Sequence, residues 1–207
     1  MIVITADQVD SRSTPDLASG TLPALNDRFA DHLVLPADRT AGDEIQLLVD
    51  DGRAVVDIVL ALTRTGRWSV GVGFGTVRLP LGAGIRESSG NAFIAARSAV
   101  DRAKKRQTRF AAAAEPTRPA ARDFEALVDL LLILRGRRSD QGWEMHDLVA
   151  EGLSQADAAL RIGITPQSAS KRARAAELKA EDAAVAPLAR LADALDAFFD
   201  PARDGVG

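Results

Sequence analysis

A run of short polar side chains followed by long cations stands between residues 165 and 174. Hydroxyl and amide groups near the start of a helix can reach base edges in a DNA groove, and lysine and arginine bind phosphate or guanine. The segment therefore predicts a surface that contacts double-stranded DNA. Its expected contact residues are Thr165, Gln167, Ser168, Ser170, Lys171, Arg172 and Arg174.

Start and stop signals around this run predict two short helices joined by a sharp turn, a helix-turn-helix over residues 154–175. Ser154 is a good N-cap, with Asp157 three residues later as the partner of a capping box. Gly163 can take the positive φ of the turn, and Thr165 caps the second helix with Pro166 at its first position. Only the second helix would then present its polar face to a groove.

The segment resembles the helix-turn-helix of sigma-factor region 4 and of many bacterial regulators. The corresponding pieces are Leu153–Gln155, the small Ala159, the turn Gly163 and Ala169–Arg172. No strand-rich wing follows, so the resemblance implies a simple helical module. The alternative is an ordinary helical hairpin with a polar exterior, which would need no DNA.

A second group of candidate residues is acidic and lies in the first half of the chain. Asp7 and Asp10 end the first predicted strand, and Asp43 and Glu44 stand in a turn between two later strands. Neighbouring strand ends would bring the two pairs together, and carboxylate oxygens suit Mg²⁺, which would hold the phosphates of a nucleotide. Acids are also common in turns simply because water solvates them there.

Short motifs in this half resemble the SatD family of bacterial proteins, whose pattern is similar to the catalytic domain of class III nucleotidyl cyclases. They are Ala6–Arg12, Gly42–Gln46, the pair Gly71 and Gly73, and Ala92–Arg97. The resemblance implies a palm-type domain, with metal aspartates at Asp7 and Asp43 and a phosphate-binding arginine at Arg97.

One residue departs from the cyclase pattern. Phe93 stands one turn before Arg97, where a cyclase helix presents an asparagine. We therefore expect no catalysis, and a domain that senses a nucleotide with Mg²⁺ or serves as a dimerisation scaffold. The competing hypothesis is a Mg²⁺-dependent nucleotidyl cyclase-type enzyme with an accessory helical domain.

Hydrophobic periodicity sets out the elements that would position both groups. Strands and helices alternate as β-α-β-β-α-β-α up to residue 110, which predicts a ferredoxin-like or palm-type α+β domain. Residues 111–122 contain two prolines among alanines and arginines and are expected to be a linker. From 123 to 207 the pattern is helical throughout, so the fold class is α+β followed by an all-α domain.

Composition limits the classes of function. The chain of 207 residues has a net charge of −3, no cysteine and two histidines, which excludes disulfides and thiolate metal sites. Basic residues concentrate between 97 and 109 and between 161 and 179, in directed patches or merely solvated helix faces. The N-terminus does not resemble a signal peptide and no long apolar run is present, so we expect a cytoplasmic protein without a membrane partner.

Together these features predict a sequence-specific DNA-binding transcriptional regulator. The expected form is a homodimer, because a two-fold protein matches a palindromic operator. Whether this regulator responds to a nucleotide effector stays open. A further alternative function is a protein-interaction adaptor, in which the helical tail recruits a partner.

Overall fold

The computed structural model describes residues 1–199, and within them the fold is α+β. The strands are β1 (Ile2–Gln8), β2 (Leu33–Ala41), β3 (Glu44–Val49), β4 (Trp68–Gly75) and β5 (Phe110–Glu115). The helices are α1 (Ala18–Arg28), α2 (Gly52–Thr63), α3 (Asn91–Ala103), α4 (Pro119–Gly136), α5 (Asp140–Ala150), α6 (Gln155–Arg161), α7 (Pro166–Ala175) and α8 (Leu178–Ala197). Across this range no helix combines the length and the apolar character that a membrane span needs.

One sheet contains all five described strands in the order β2-β3-β1-β4-β5. Neighbours among the first four strands are antiparallel, whereas β5 runs parallel to β4. The four strands that the sequence predicts are confirmed, and so is the α+β class. The last eight residues of the predicted helical domain, 200–207, lie outside the described residues.

The predicted linker at 111–122 is wrong. Its residues 111–115 belong to β5, where Ala111 and Ala112 are buried, and its last four residues begin α4 at Pro119. Alanine has little intrinsic preference for strands, so burial between β4 and the neighbouring helices decides this segment. The sequence also predicts a helix over residues 93–109, but α3 ends at Ala103, and Arg109 has a left-handed φ of 54°.

Helix α3 lies unusually close to the sheet because β4 has glycines on the face that it covers. A Cβ at Gly73 would lie 2.2 Å from the carbonyl oxygen of Ala92, and one at Gly71 would lie 2.3 Å from the amide nitrogen of Val100. The valine–glycine alternation of this strand predicts that another backbone or a ligand comes close to it. That prediction is confirmed, and the approaching backbone belongs to α3.

The core divides the helices differently from the predicted domain boundary. Helices α4 and α8 share one core with the sheet, α1 and α2, and Phe124 of α4 meets Phe74 of β4 edge to face at 5.5 Å. The backbone amide of Gly52 donates to Asp193 of α8 at 2.7 Å. Helices α5, α6 and α7 form a small core of their own. We call residues 140–175 the three-helix module.

Candidate functional site

The turn between α6 and α7 has the local chemistry that the sequence predicts. The Ser154 hydroxyl accepts from the backbone amide of Asp157 at 3.1 Å, and the Thr165 hydroxyl accepts from that of Ser168 at 3.2 Å. Gly163 adopts a φ of 68°, and Pro166 occupies the first turn of α7. These contacts satisfy amides that have no partner inside either helix and fix where each helix begins.

The capping box at Ser154 differs in one detail from the predicted form. The Asp157 carboxylate accepts a hydrogen bond from the Ser154 hydroxyl at 2.6 Å. In the reciprocal box it would accept from the backbone amide of the cap residue instead. The helix start is the same, and the carboxylate stabilises it through the side chain that already caps it.

Small residues hold α7 against the rest of the three-helix module. Ala169 and Ala173 are buried on α7, Ala159 is buried on α6, and Met145 of α5 lies in the same core. Alanines allow the helix backbones to approach closely, so the tilt of α7 is set by packing that leaves its other face uncovered. Ala159 and Ala169 occupy the inward positions that the sequence predicts.

The uncovered face of α7 carries six of the seven predicted DNA-binding residues. Thr165, Gln167, Ser168, Ser170, Lys171 and Arg174 are all exposed. Within residues 1–199, neither Lys171 nor Arg174 forms an ion pair. Helix α7 contains no acidic residue, so its exposed face is a cationic surface whose charges are free for another molecule.

Arg172 is the exception among the seven. Its guanidinium group pairs with Glu144 of α5 at 2.9 Å, and its side chain is only 26% exposed. Arg172 therefore ties α7 to α5 and does not share the outward direction of Lys171 and Arg174. The sequence placed it with the outward cations because spacing along a helix does not reveal an acid on a neighbouring helix.

A buried charged cluster joins the three-helix module to the rest of the molecule. Arg138, which follows α4, donates to the backbone carbonyl of Ala176 at the end of α7 and to Glu181 of α8 at 2.6 Å. Glu181 also pairs with Arg135 of α4, which in turn donates to the carbonyl of Leu60 at 3.0 Å. One carboxylate thus connects α4, α8 and the module.

Glu181 is ionised in this cluster despite its burial. Burial by itself would raise the pKa of Glu181, but the hydrogen bond from His146 and the charges of Arg135 and Arg138 lower it from 4.5 to about 2. Glu181 is only 7% exposed, so its charge is compensated by these groups and not by water.

Trp143 forms the other side of the same junction. The guanidinium carbons of Arg64, Arg135 and Arg138 lie 4.5, 4.9 and 4.4 Å from its ring centre, within the range of cation–π attraction. Arg64 also makes two hydrogen bonds to Asp147, at 2.8 and 2.7 Å. Sequence reasoning missed this junction, because no periodicity distinguishes a buried arginine from a solvated one.

Two of the predicted acidic residues meet at the ends of two neighbouring interior strands, and both are already paired. Asp7 of β1 lies opposite Glu44 of β3. The Asp7 carboxylate contacts the Lys104 ammonium at 2.8 Å, while Glu44 pairs with Arg97 of α3 and accepts from the Thr40 hydroxyl at 2.6 Å. Burial alone would lower the pKa of Lys104, but Asp7 and then Asp101 raise it.

The other two acids lie in the turns beside this pair, and the backbone amide of Gln8 donates to the carbonyl of Asp43 at 3.3 Å. Asp10 is exposed in a turn with a φ of 54°, and Asp43 is half-buried in the β2–β3 turn. Among residues 1–199, no group of three or more acids or histidines is arranged to hold a metal ion. Asp7 and Glu44 are thus paired with Lys104 and Arg97 in this structure, and the Mg²⁺ site stays a prediction.

Comparison with known proteins gives no family to which the chain can be assigned. No protein-family pattern, no curated protein and no solved structure matches it.

Proposed function

We propose that this protein is a sequence-specific DNA-binding transcriptional regulator and that α7 is its recognition helix. The observation that carries the proposal is the face of α7: short polar groups in its first turn, then two cations without an acidic partner in the described chain, all exposed. Its opposite face is fixed by buried alanines, so the helix is held at a constant tilt.

The dimensions and field of α7 suit a major groove. A helix of ten residues is about 15 Å long. A major groove about 12 Å wide admits one helix with its side chains. The positive end of the helix dipole lies at Thr165 and Pro166, where it would face phosphates, and Lys171 and Arg174 follow one and two turns later. In an ordinary helical hairpin, by contrast, nothing would favour keeping both Lys171 and Arg174 without an acidic partner.

The sheet supports the proposed palm-type relationship in one respect. Strands β1 to β4 follow the order β2-β3-β1-β4 with antiparallel neighbours and with α1 and α2 as the connections, which is the arrangement of a ferredoxin-like unit. Arg97, with a side chain 56% exposed, is the residue that a nucleotide effector would meet. The enzyme alternative has less support, because Asp7 and Glu44 bind Lys104 and Arg97.

The test is selection of duplexes from a random-sequence pool, followed by titration of the enriched duplex by fluorescence anisotropy. Lys171→Ala and Arg174→Ala should each weaken binding by about 1–3 kcal/mol where the side chain contacts a base, which is roughly 5- to 150-fold in Kd. Lys105→Ala removes an exposed, unpaired cation that lies outside the three-helix module and is the matched control. The proposal fails if no sequence is enriched, or if all three variants bind like the parent.

A further inference from the structure

Helix α4 has an apolar face that nothing in residues 1–199 covers. Leu127, Leu130 and Ile133 are 48%, 64% and 40% exposed, and Ala126 beside them is also exposed. The opposite side of the same helix is buried in the main core through Phe124 and its neighbours. The helix is therefore apolar on both sides, unlike a surface helix that needs only one apolar stripe.

Single exposed apolar residues are normal on a protein surface, but a group on one helix is not. Ile94 on α3 and Leu160 on α6 are 61% and 81% exposed, but each is the one large exposed apolar residue of its helix. On α4, at 100° per residue, Ala126, Leu127, Leu130 and Ile133 fall on one side with Leu130 near its centre. This arrangement indicates that the face binds another surface.

Opposite charges stand at the two ends of this face. Asp123 lies seven residues before Leu130 and Arg137 seven residues after it, and both are exposed. Neither forms an ion pair within residues 1–199. Each charge lies about 10 Å from Leu130 along the helix axis, in opposite directions.

We propose that the α4 face, residues 123–137, binds the same face of a second copy of this chain, antiparallel and with a two-fold axis at Leu130. In that arrangement Leu130 meets the partner's Leu130, and Leu127 meets the partner's Ile133, because 127 and 133 are equidistant from 130. Asp123 then meets the partner's Arg137 at each end. A two-fold contact must be complementary to itself, and this face meets that condition in both shape and charge.

This pairing would place two copies of α7 about one two-fold axis. The three-helix module begins four residues after α4 ends and is tied to Arg135 and Arg138, so it moves with α4. A two-fold pair of recognition helices fits two half-sites of a palindrome. The pairing itself does not depend on DNA binding, since it rests on α4 alone.

The absence of cysteine makes a direct test possible. Leu130→Cys introduces the only thiol, at the proposed axis, where it should form a covalent dimer rapidly under mild oxidation. Ile94→Cys and Leu160→Cys are the matched controls. Their parent residues are 61% and 81% exposed, against 64% for Leu130, and lie outside the α4 face. Equal rates of dimer formation in all three variants would overturn the proposal.

A charge exchange tests the register without touching the apolar residues. Asp123→Arg should weaken the dimer measured by sedimentation equilibrium, since each end would then place two arginines together. Adding Arg137→Asp should restore it. A parent chain that stays monomeric up to its solubility limit, or a double variant no better than Asp123→Arg, contradicts the proposed pairing whatever else covers the face.

Discussion

Two basic segments of this chain look alike in sequence and differ in structure. Residues 97–109 and 161–179 each contain several lysines and arginines and one acid. In the first, Arg102 and Arg106 pair with Glu125 of α4, and Lys104 pairs with Asp7. In the second, Lys171 and Arg174 have no acidic partner within residues 1–199. A local excess of positive charge is available to another molecule only at the positions to which the fold brings no acid.

The largest expected effect is on the free energy of unfolding, and it distinguishes a buried arginine from the exposed cations of α7. Arg138→Ala should lower the free energy of unfolding by about 3–5 kcal/mol, because the buried Glu181 loses one of its two arginine partners and the buried Ala176 carbonyl loses its hydrogen bonds. Lys171→Ala and Arg174→Ala should change it by no more than about 0.5 kcal/mol. Urea unfolding followed by circular dichroism measures all three. Similar losses in the three variants would remove the distinction.

The ionised Glu181 predicts a pH dependence of stability. Its pKa falls from 4.5 in the unfolded chain to about 2 in the fold, so its contribution is fully present above pH 4.5 and disappears as pH falls toward 2. The shift corresponds to about 3 kcal/mol at most.

Urea titrations at a series of pH values compare the parent with Glu181→Gln, in which all other acids still titrate. The difference in unfolding free energy between the two proteins should shrink steadily below pH 4.5. A constant difference down to pH 2 would show that Glu181 is not held ionised by the arginines.

The salt dependence of DNA binding should sharpen the comparison between the two basic segments. Each phosphate contact that is removed lowers the slope of log K against log salt by about 0.9. Lys171→Ala or Arg174→Ala should show that change if the side chain meets a phosphate, and Lys105→Ala should keep the parent slope. A lower slope for Lys105→Ala would indicate that the DNA interface includes residues 97–109.

The smallest effect is expected at the start of α7. Thr165→Ala removes the hydroxyl that caps the Ser168 amide and should cost about 1 kcal/mol of stability. Thr165→Ser keeps the hydroxyl and should retain most of it. Thermal unfolding measures both, and equal melting temperatures for the two variants would show that the cap does not fix this helix.

Signals that act over a few residues were readable from the sequence. Ser154, Gly163 and Thr165 do locally what their types predict, and the four predicted strands form. The exposure of α7 also follows from its alternation of alanines and polar groups. These inferences depend on contacts within one or two turns of the chain.

Contacts between distant parts of the chain could not be read in the same way. The alanines of β5 look like a linker until β4 is placed beside them. Arg172 looks like its neighbours until Glu144 is brought opposite. Glu181 lies more than forty residues along the chain from its arginines. Asp7 and Glu44 pair with Lys104 and Arg97, which no short motif in the sequence indicates.

The contact between Arg138 and Glu181 holds together the two points at which the chain enters and leaves the three-helix module. The chain leaves the main core after Arg138 and returns at Glu181, and these two side chains touch, so entrance and exit are side by side. Such an excursion can be shortened, replaced or exchanged without cutting the sheet or its helices. The molecule is therefore built as one body of sheet and helices, and the three-helix module is inserted into it at two adjoining points of the chain.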